Sequence, residues 1–167
     1  MGRRGTGLIE VKVEAVLIDS STNTPVVLLR ELDGQRVLPV FIGPMEASGI
    51  AYVLEGTQFS RPLTLDLMKL LVQGLGGTVR RVIVTKLEQE TFFAEIVVEQ
   101  EGKVVAFDAR PSDSVGLALR ARAPIYVAEE VMAKAGQVIA PEDEGRLKEL
   151  KAKLRGINPE DFGSYQM

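Results

Sequence analysis

The stretch Asp108-Ala109-Arg110-Pro111-Ser112-Asp113 places two carboxylates and a guanidinium within six consecutive residues. Carboxylates of this kind can hold a hard cation or move a proton, and a guanidinium can grip a phosphate. The stretch falls where one pattern gives way to another. Lys103-Val104-Val105-Ala106-Phe107 is short, apolar and β-branched, as a strand is, whereas Val115, Ala118 and Leu119 recur at helical spacing. Pro111 suits the first helical position, where its missing N–H would find no partner anyway. Asp113 then falls in the first turn, beside the positive end of the helix. A strand-to-helix corner fixes such groups on a rigid frame and leaves them open to solvent.

The rest of the composition narrows the chemistry. The chain has 167 residues and contains neither cysteine nor histidine. That excludes a cysteine nucleophile, a Cys- or His-bound zinc and every Ser-His arrangement, so any catalysis must use carboxylates, Arg, Lys, Tyr or a carboxylate-held metal. A net charge of −3 argues against bulk attraction to a polyanion. No apolar run approaches the roughly 18 residues that span a bilayer, and the amino-terminal residues lead into a strand pattern, so a cytoplasmic protein is expected.

The elements that must position the corner form a pattern that recurs. Residues 9–18 alternate as a strand, with Ile9, Val11, Val13, Ala15 and Leu17 on one face. A polar turn leads to a second strand over 25–31. Asp33-Gly34 then turns the chain into a third over 36–42. Gly43-Pro44 follows, and Ala47, Ile50, Ala51 and Leu54 mark a helix stopped by Gly56. Pro44, Glu46, Gly49 and Ala51 match Pro111, Asp113, Gly116 and Ala118 at a constant separation of 67 positions. The same shift overlays the strands, which predicts an α+β fold of two internally duplicated strand-strand-strand-helix units, about 9–56 and 78–122, in one pseudo-symmetric domain over 1–140.

Thr57 to Gly77 has no counterpart in the other unit. Its centre predicts a helix capped by Thr64, with Leu67, Leu70 and Leu71 facing inward and Gly74, Gly76 and Gly77 ending it. After the second unit come a short strand at 124–127 and a short helix at 129–135. Residues 141–167 form a separate tail, whose acidic start, basic end and stripe of Leu147, Leu150 and Leu154 predict an amphipathic helix closed by Gly156.

Each candidate group has an ordinary explanation beside the functional one. Glu46 and Asp113 serve equally as first-turn acids that steady their helices. Asp108, at the end of an apolar strand, needs a partner if buried, and Arg110 is the nearest. Arg61, Thr64 and Asp66 make a second polar set at a helix start, where capping explains them as well as chemistry does. Gly-Leu-Gly-Gly at 74–77 follows a helix and lacks the Lys-Ser/Thr pair of a phosphate loop.

Three ordered words, Leu38-Pro39-Val40-Phe41-Ile42-Gly43-Pro44-Met45-Glu46-Ala47, Arg61-Pro62-Leu63-Thr64-Leu65-Asp66-Leu67 and Asp108-Ala109-Arg110-Pro111-Ser112-Asp113-Ser114, resemble the bifunctional nuclease domain family. The resemblance spans about residues 8–138, and Asn158-Pro159-Glu160-Asp161-Phe162 is similar to the tail of bacterial members. It implies an internally duplicated α+β fold, a homo-oligomer with a dimer first, and cleavage of DNA and RNA. On that reading Glu46, Asp66, Asp108 and Asp113 are the catalytic carboxylates and the available holders of Mg²⁺ or Mn²⁺, while Arg61, Thr64, Arg110 and Ser112 bind substrate. Where the family commonly has a histidine in the second word, this chain has Leu65, so a base or ligand role for that histidine has no counterpart here. A different class of function, a non-catalytic protein binding an anionic ligand or a partner between the two units, or an oligomeric adaptor, stays open at this point.

Overall fold

In the computed structural model, which describes residues 7–138 and the backbone of 154–156, each half of the chain builds an antiparallel meander and follows it with a helix. The first comprises β1 (Leu8–Asp19), β2 (Thr24–Glu31), β3 (Arg36–Phe41) and α1 (Pro44–Glu55). After α2 (Thr64–Gly74) come β4 (Gly77–Glu88), β5 (Thr91–Gln100), β6 (Lys103–Ala109) and α3 (Pro111–Ala121). β7 (Ile125–Ala128), α4 (Glu129–Ala135), β8 (Gln137–Val138) and β9 (Leu154–Gly156) complete the order. The chain is α+β.

One sheet joins all nine strands found among the described residues, in the order β6-β5-β4-β7-β1-β2-β3-β8, with β9 beside β1. β7 is the joint between the halves. It lies antiparallel to β1, with Leu8 opposite Ala128, and parallel to β4, with Val82 opposite Ile125. The main core fills the space under the helices, where Val27, Leu29, Leu38, Val82 and Val84 of the sheet meet Ala47, Ile50, Val115, Leu117 and Met132. Burying the Val, Leu, Ile and Met side chains among these stabilises the fold by about 1.5–3 kcal/mol each. Leu17, Val26, Leu28 and Val37 form a smaller cluster on the other face of the first meander.

Three sequence expectations are corrected here. β1 does not keep one face throughout, because a bulge between Val13 and Ala15 shifts its pairing with β2. An inserted residue reverses the alternation beyond it, so Val16 joins the main core and Leu17 the smaller cluster. On α2, Leu67, Leu70 and Leu71 face outward at 47%, 52% and 55% exposure, and the inner side belongs to Leu65, Met68 and Val72. Leu154–Gly156, expected to close a helix, is instead a strand paired with Leu17–Asp19. The rest of the expected tail helix lies outside the described residues.

A polar clasp far from the corners ties the first meander to α4. Glu31, 7% exposed, accepts hydrogen bonds from the backbone N–H and Nε of Arg36 at 3.0 and 2.8 Å, and the other end of that guanidinium donates to both oxygens of Glu129 at 2.9 and 3.1 Å. Hydrogen bonding to Arg36 holds the Glu31 and Glu129 carboxyls below the usual glutamate range, against the opposing effect of burial. A depressed folded-state pKa gives stability that is complete above the unfolded value of about 4.3 and is lost as pH falls through the folded one. Glu31→Gln is therefore expected to destabilise the protein at pH 7 and to differ progressively less from the parent below about pH 4, as urea titrations across that window would read.

Candidate active site

The two proline corners come together because α1 and α3 pack side by side over the sheet. Pro44 and Pro111 occupy the first turns of the two helices, Gly43 and Arg110 are their N-caps, and neither cap uses its own side chain. Glu46 and Asp113 therefore project from adjacent helix starts. Arg110 reaches both. Its Nε and Nη2 donate to the two oxygens of Asp113 at 2.8 and 3.1 Å, and its Nη1 donates to Oε1 of Glu46 at 2.9 Å. The guanidinium is 63% exposed. Its hydrogen bonds to Asp113, and then to Glu46, raise its pKa above the usual arginine value.

Gly43 is what allows the second of these contacts. A Cβ at that position would overlap the Glu46 carboxylate, which folds back over its own helix start to meet Arg110. Gly43→Ala is expected to swing Glu46 outward and leave Arg110 on Asp113 alone. Because Glu46 is a flexible and partly exposed group, stability should change by less than about 1 kcal/mol. A crystal structure of the variant with the Glu46–Arg110 contact intact would refute this.

A second guanidinium lies deeper. The Arg120 side chain is only 5% exposed. Its Nε donates to Oδ1 of Asp66 at 2.8 Å, its Nη1 to the Gly116 carbonyl at 2.9 Å and its Nη2 to the Gly49 carbonyl at 3.0 Å. Asp66 also accepts the Leu63 N–H through Oδ2 at 2.9 Å, so one carboxylate closes the start of α2 and anchors Arg120. Three helices are thereby laced together. The cap of α2 is Leu63, with Thr64 as its first residue, which corrects the expected Thr64 cap. Leu65 lies against Gly116, where any Cβ would collide with it.

Between α1, α2 and α3 the packing leaves a crevice of about 650 Å³. Glu46, Arg110, Ser112, Asp113 and Thr64 line it, with Arg120 and Leu65 deeper and Tyr52, Phe59 and Met68 forming an apolar wall. Five of the eight expected site residues thus meet in one place. Asp66 contributes through Arg120, and Arg61 is exposed just ahead of α2.

Asp108 does not join them. It is exposed on β6 opposite Glu95, and strand alternation turns it to the face opposite Phe107, whose partner Ile96 belongs to the core under the helices. The expected Asp108–Arg110 pair is not formed, because Arg110 has turned to Asp113 and Glu46. Among the described residues no cluster of three or more potential metal ligands occurs. Glu46 and Asp113 alone offer a cation two carboxylates, enough for the sparse protein ligation typical of Mg²⁺, which keeps waters and takes phosphate oxygens.

Sequence reasoning missed Arg120, Tyr52 and Phe59. A cation in the last turn of α3 reads as a solvated charge at the negative helix end, and a single off-stripe tyrosine gives no signal at all.

Comparison with known proteins bears on the family of the chain. Residues 27–140 match the model of the bifunctional nuclease domain. An uncharacterized protein of Mycobacterium tuberculosis is 40% identical over 162 residues, covering 92% of this chain and 97% of its own length. Bifunctional nuclease 1 of Arabidopsis thaliana is 33% identical over 107 residues, 62% of this chain and 33% of that protein. Bifunctional nuclease 2 of Oryza sativa subsp. japonica is 29% identical over 114 residues, 66% of this chain and 35% of that protein. The chain thus spans about a third of the length of these plant relatives.

Proposed function

The chain belongs to the bifunctional nuclease domain family, and from that premise we propose that it hydrolyses phosphodiester bonds of DNA and RNA in the crevice between α1, α2 and α3. The observation behind this reading is the meeting of Glu46 and Asp113 across Arg110 at the crevice mouth. An arriving phosphate competes with both carboxylates for the guanidinium. Arg110 then steadies the phosphate through its paired N–H groups, and the carboxylates it releases are left beside the scissile bond, placed to take a proton from attacking water. Ser112 and Thr64 add hydroxyl donors along the crevice.

Charge gives the reason for a metal. Arg110 and Arg120 face Glu46, Asp66 and Asp113, so the site carries a formal −1, which repels a phosphodiester. Mg²⁺ or Mn²⁺ held by Glu46 and Asp113 would reverse that charge and supply activation of water. We further read the two strand-strand-strand-helix units as copies within one cytoplasmic domain, to whose sheet β9 of the carboxyl-terminal stretch returns, and the protein as a homodimer. The exposed outer edge of β6 is the natural seam for that dimer.

The deciding experiment is cleavage of end-labelled single- and double-stranded DNA and RNA with EDTA, Mg²⁺ or Mn²⁺, alongside Asp113→Asn purified in the same way. Metal-dependent cutting lost in the variant supports the assignment. Equal cutting by both proteins, or none by either, would overturn it in favour of a non-catalytic binding protein.

A further inference from the structure

We propose that the crevice beside Arg110 seats one unpaired nucleobase against Tyr52 and Phe59, which makes single-stranded nucleic acid the substrate. This rests on the nuclease reading of the same crevice and adds to it the form of the substrate. Tyr52 on α1 and Phe59 on the segment before α2 meet edge to face, with ring centroids 4.8 Å apart and planes at 83°. Both rings are half-buried and line the crevice with Met45 and Met68. The volume of about 650 Å³ lies within the range of pockets that enclose small organic ligands. It is far too small for a duplex, so a base can reach the rings only from a single strand or after leaving its stack.

Charge leads to the same conclusion from another direction. The chain carries −3 and its site −1, so phosphate attraction cannot supply most of the affinity as it does in basic nucleic-acid binders. Stacking on an aromatic side chain can. It also ignores both base identity and the 2′-hydroxyl, which suits an enzyme acting on DNA and RNA alike.

The test separates this seat from the nuclease assignment. Binding of a labelled single strand, the blunt duplex of the same sequence and a single strand of abasic residues is measured by fluorescence anisotropy in EDTA, and cleavage of each is followed with Mn²⁺. The intact single strand should bind roughly tenfold or more tighter than either other probe, with a shallow salt dependence, and be cut in preference. Tyr52→Ala should remove roughly that tenfold for the single strand and leave the duplex unchanged, while Tyr52→Phe keeps most of it. If Tyr52→Ala melts early, Phe59→Leu provides the same comparison. Duplex and single strand bound and cut alike, both indifferent to the ring substitutions, would overturn the base seat and leave the nuclease reading standing. Absence of both binding and cleavage for every probe would bring down the nuclease reading, and the seat with it.

Discussion

Replacing Asp113 by Asn is expected to lower metal-dependent cleavage by about 10²- to 10³-fold while leaving the fold intact, the size of effect seen when one charged or hydrogen-bonding group is removed from a phosphoryl or acyl transfer site. Asn keeps the shape and one acceptor oxygen but not the charge. Arg110 then retains Glu46 at 2.9 Å and loses its two-pronged partner, and the site can neither accept a proton at residue 113 nor hold a cation with two carboxylates. The cost in stability should stay within about 1 kcal/mol, because the guanidinium is 63% exposed and its ion pairs are screened. A large loss of turnover with an unchanged melting temperature is thus the signature to look for. Residual activity equal to the parent's would mark the cutting as a contaminant's and favour the non-catalytic binding reading.

Arg120→Met should show the opposite signature. Here the side chain is 5% exposed, and its removal strands the Asp66 carboxylate and withdraws donors from the Gly49 and Gly116 carbonyls, which no longer share a partner. Breaking a buried pair of this kind costs about 3 kcal/mol once the partial exposure of Asp66 is allowed for. That corresponds to a melting temperature lower by about 6–12 °C for a chain of this size. The same change at Arg110 should be almost silent in stability. Thermal and urea unfolding of the two variants side by side distinguishes the cation that builds the crevice from the one proposed to meet substrate there. If Arg120→Met costs less than about 1 kcal/mol, apolar packing alone holds the three helices in place.

The two corners were legible because their signals are local. A proline at the first helical position and an acid two residues later state a helix start wherever they occur. Their meeting was not legible. Glu46 and Arg110 are 64 positions apart, and only the joining of both meanders through β7 brings α1 against α3. On α2 the difficulty was different. Leu67, Leu70 and Leu71 form one apolar stripe and Leu65, Met68 and Val72 another, so helical spacing offers two inner faces and cannot choose between them. The bulge in β1 fails for a related reason, since alternation registers a period and not a single inserted residue. At Asp108 the strand was read correctly, but the direction of its side chain depends on which face the helices cover. Tertiary packing decides that.

β7 also governs how this fold can be acquired during synthesis. β1 and β4 both wait for residues 125–128 to fill the place between them, so a nascent chain that has completed α1 at Glu55 carries an open strand edge while 73 further residues are added. At ordinary elongation rates that interval lasts roughly 4–15 s. It is long compared with the microseconds in which hairpins form, so the first meander must persist as a folded fragment or be shielded until its neighbour is translated. Released chains truncated just before and just after residues 125–128 should therefore differ abruptly in their resistance to proteolysis.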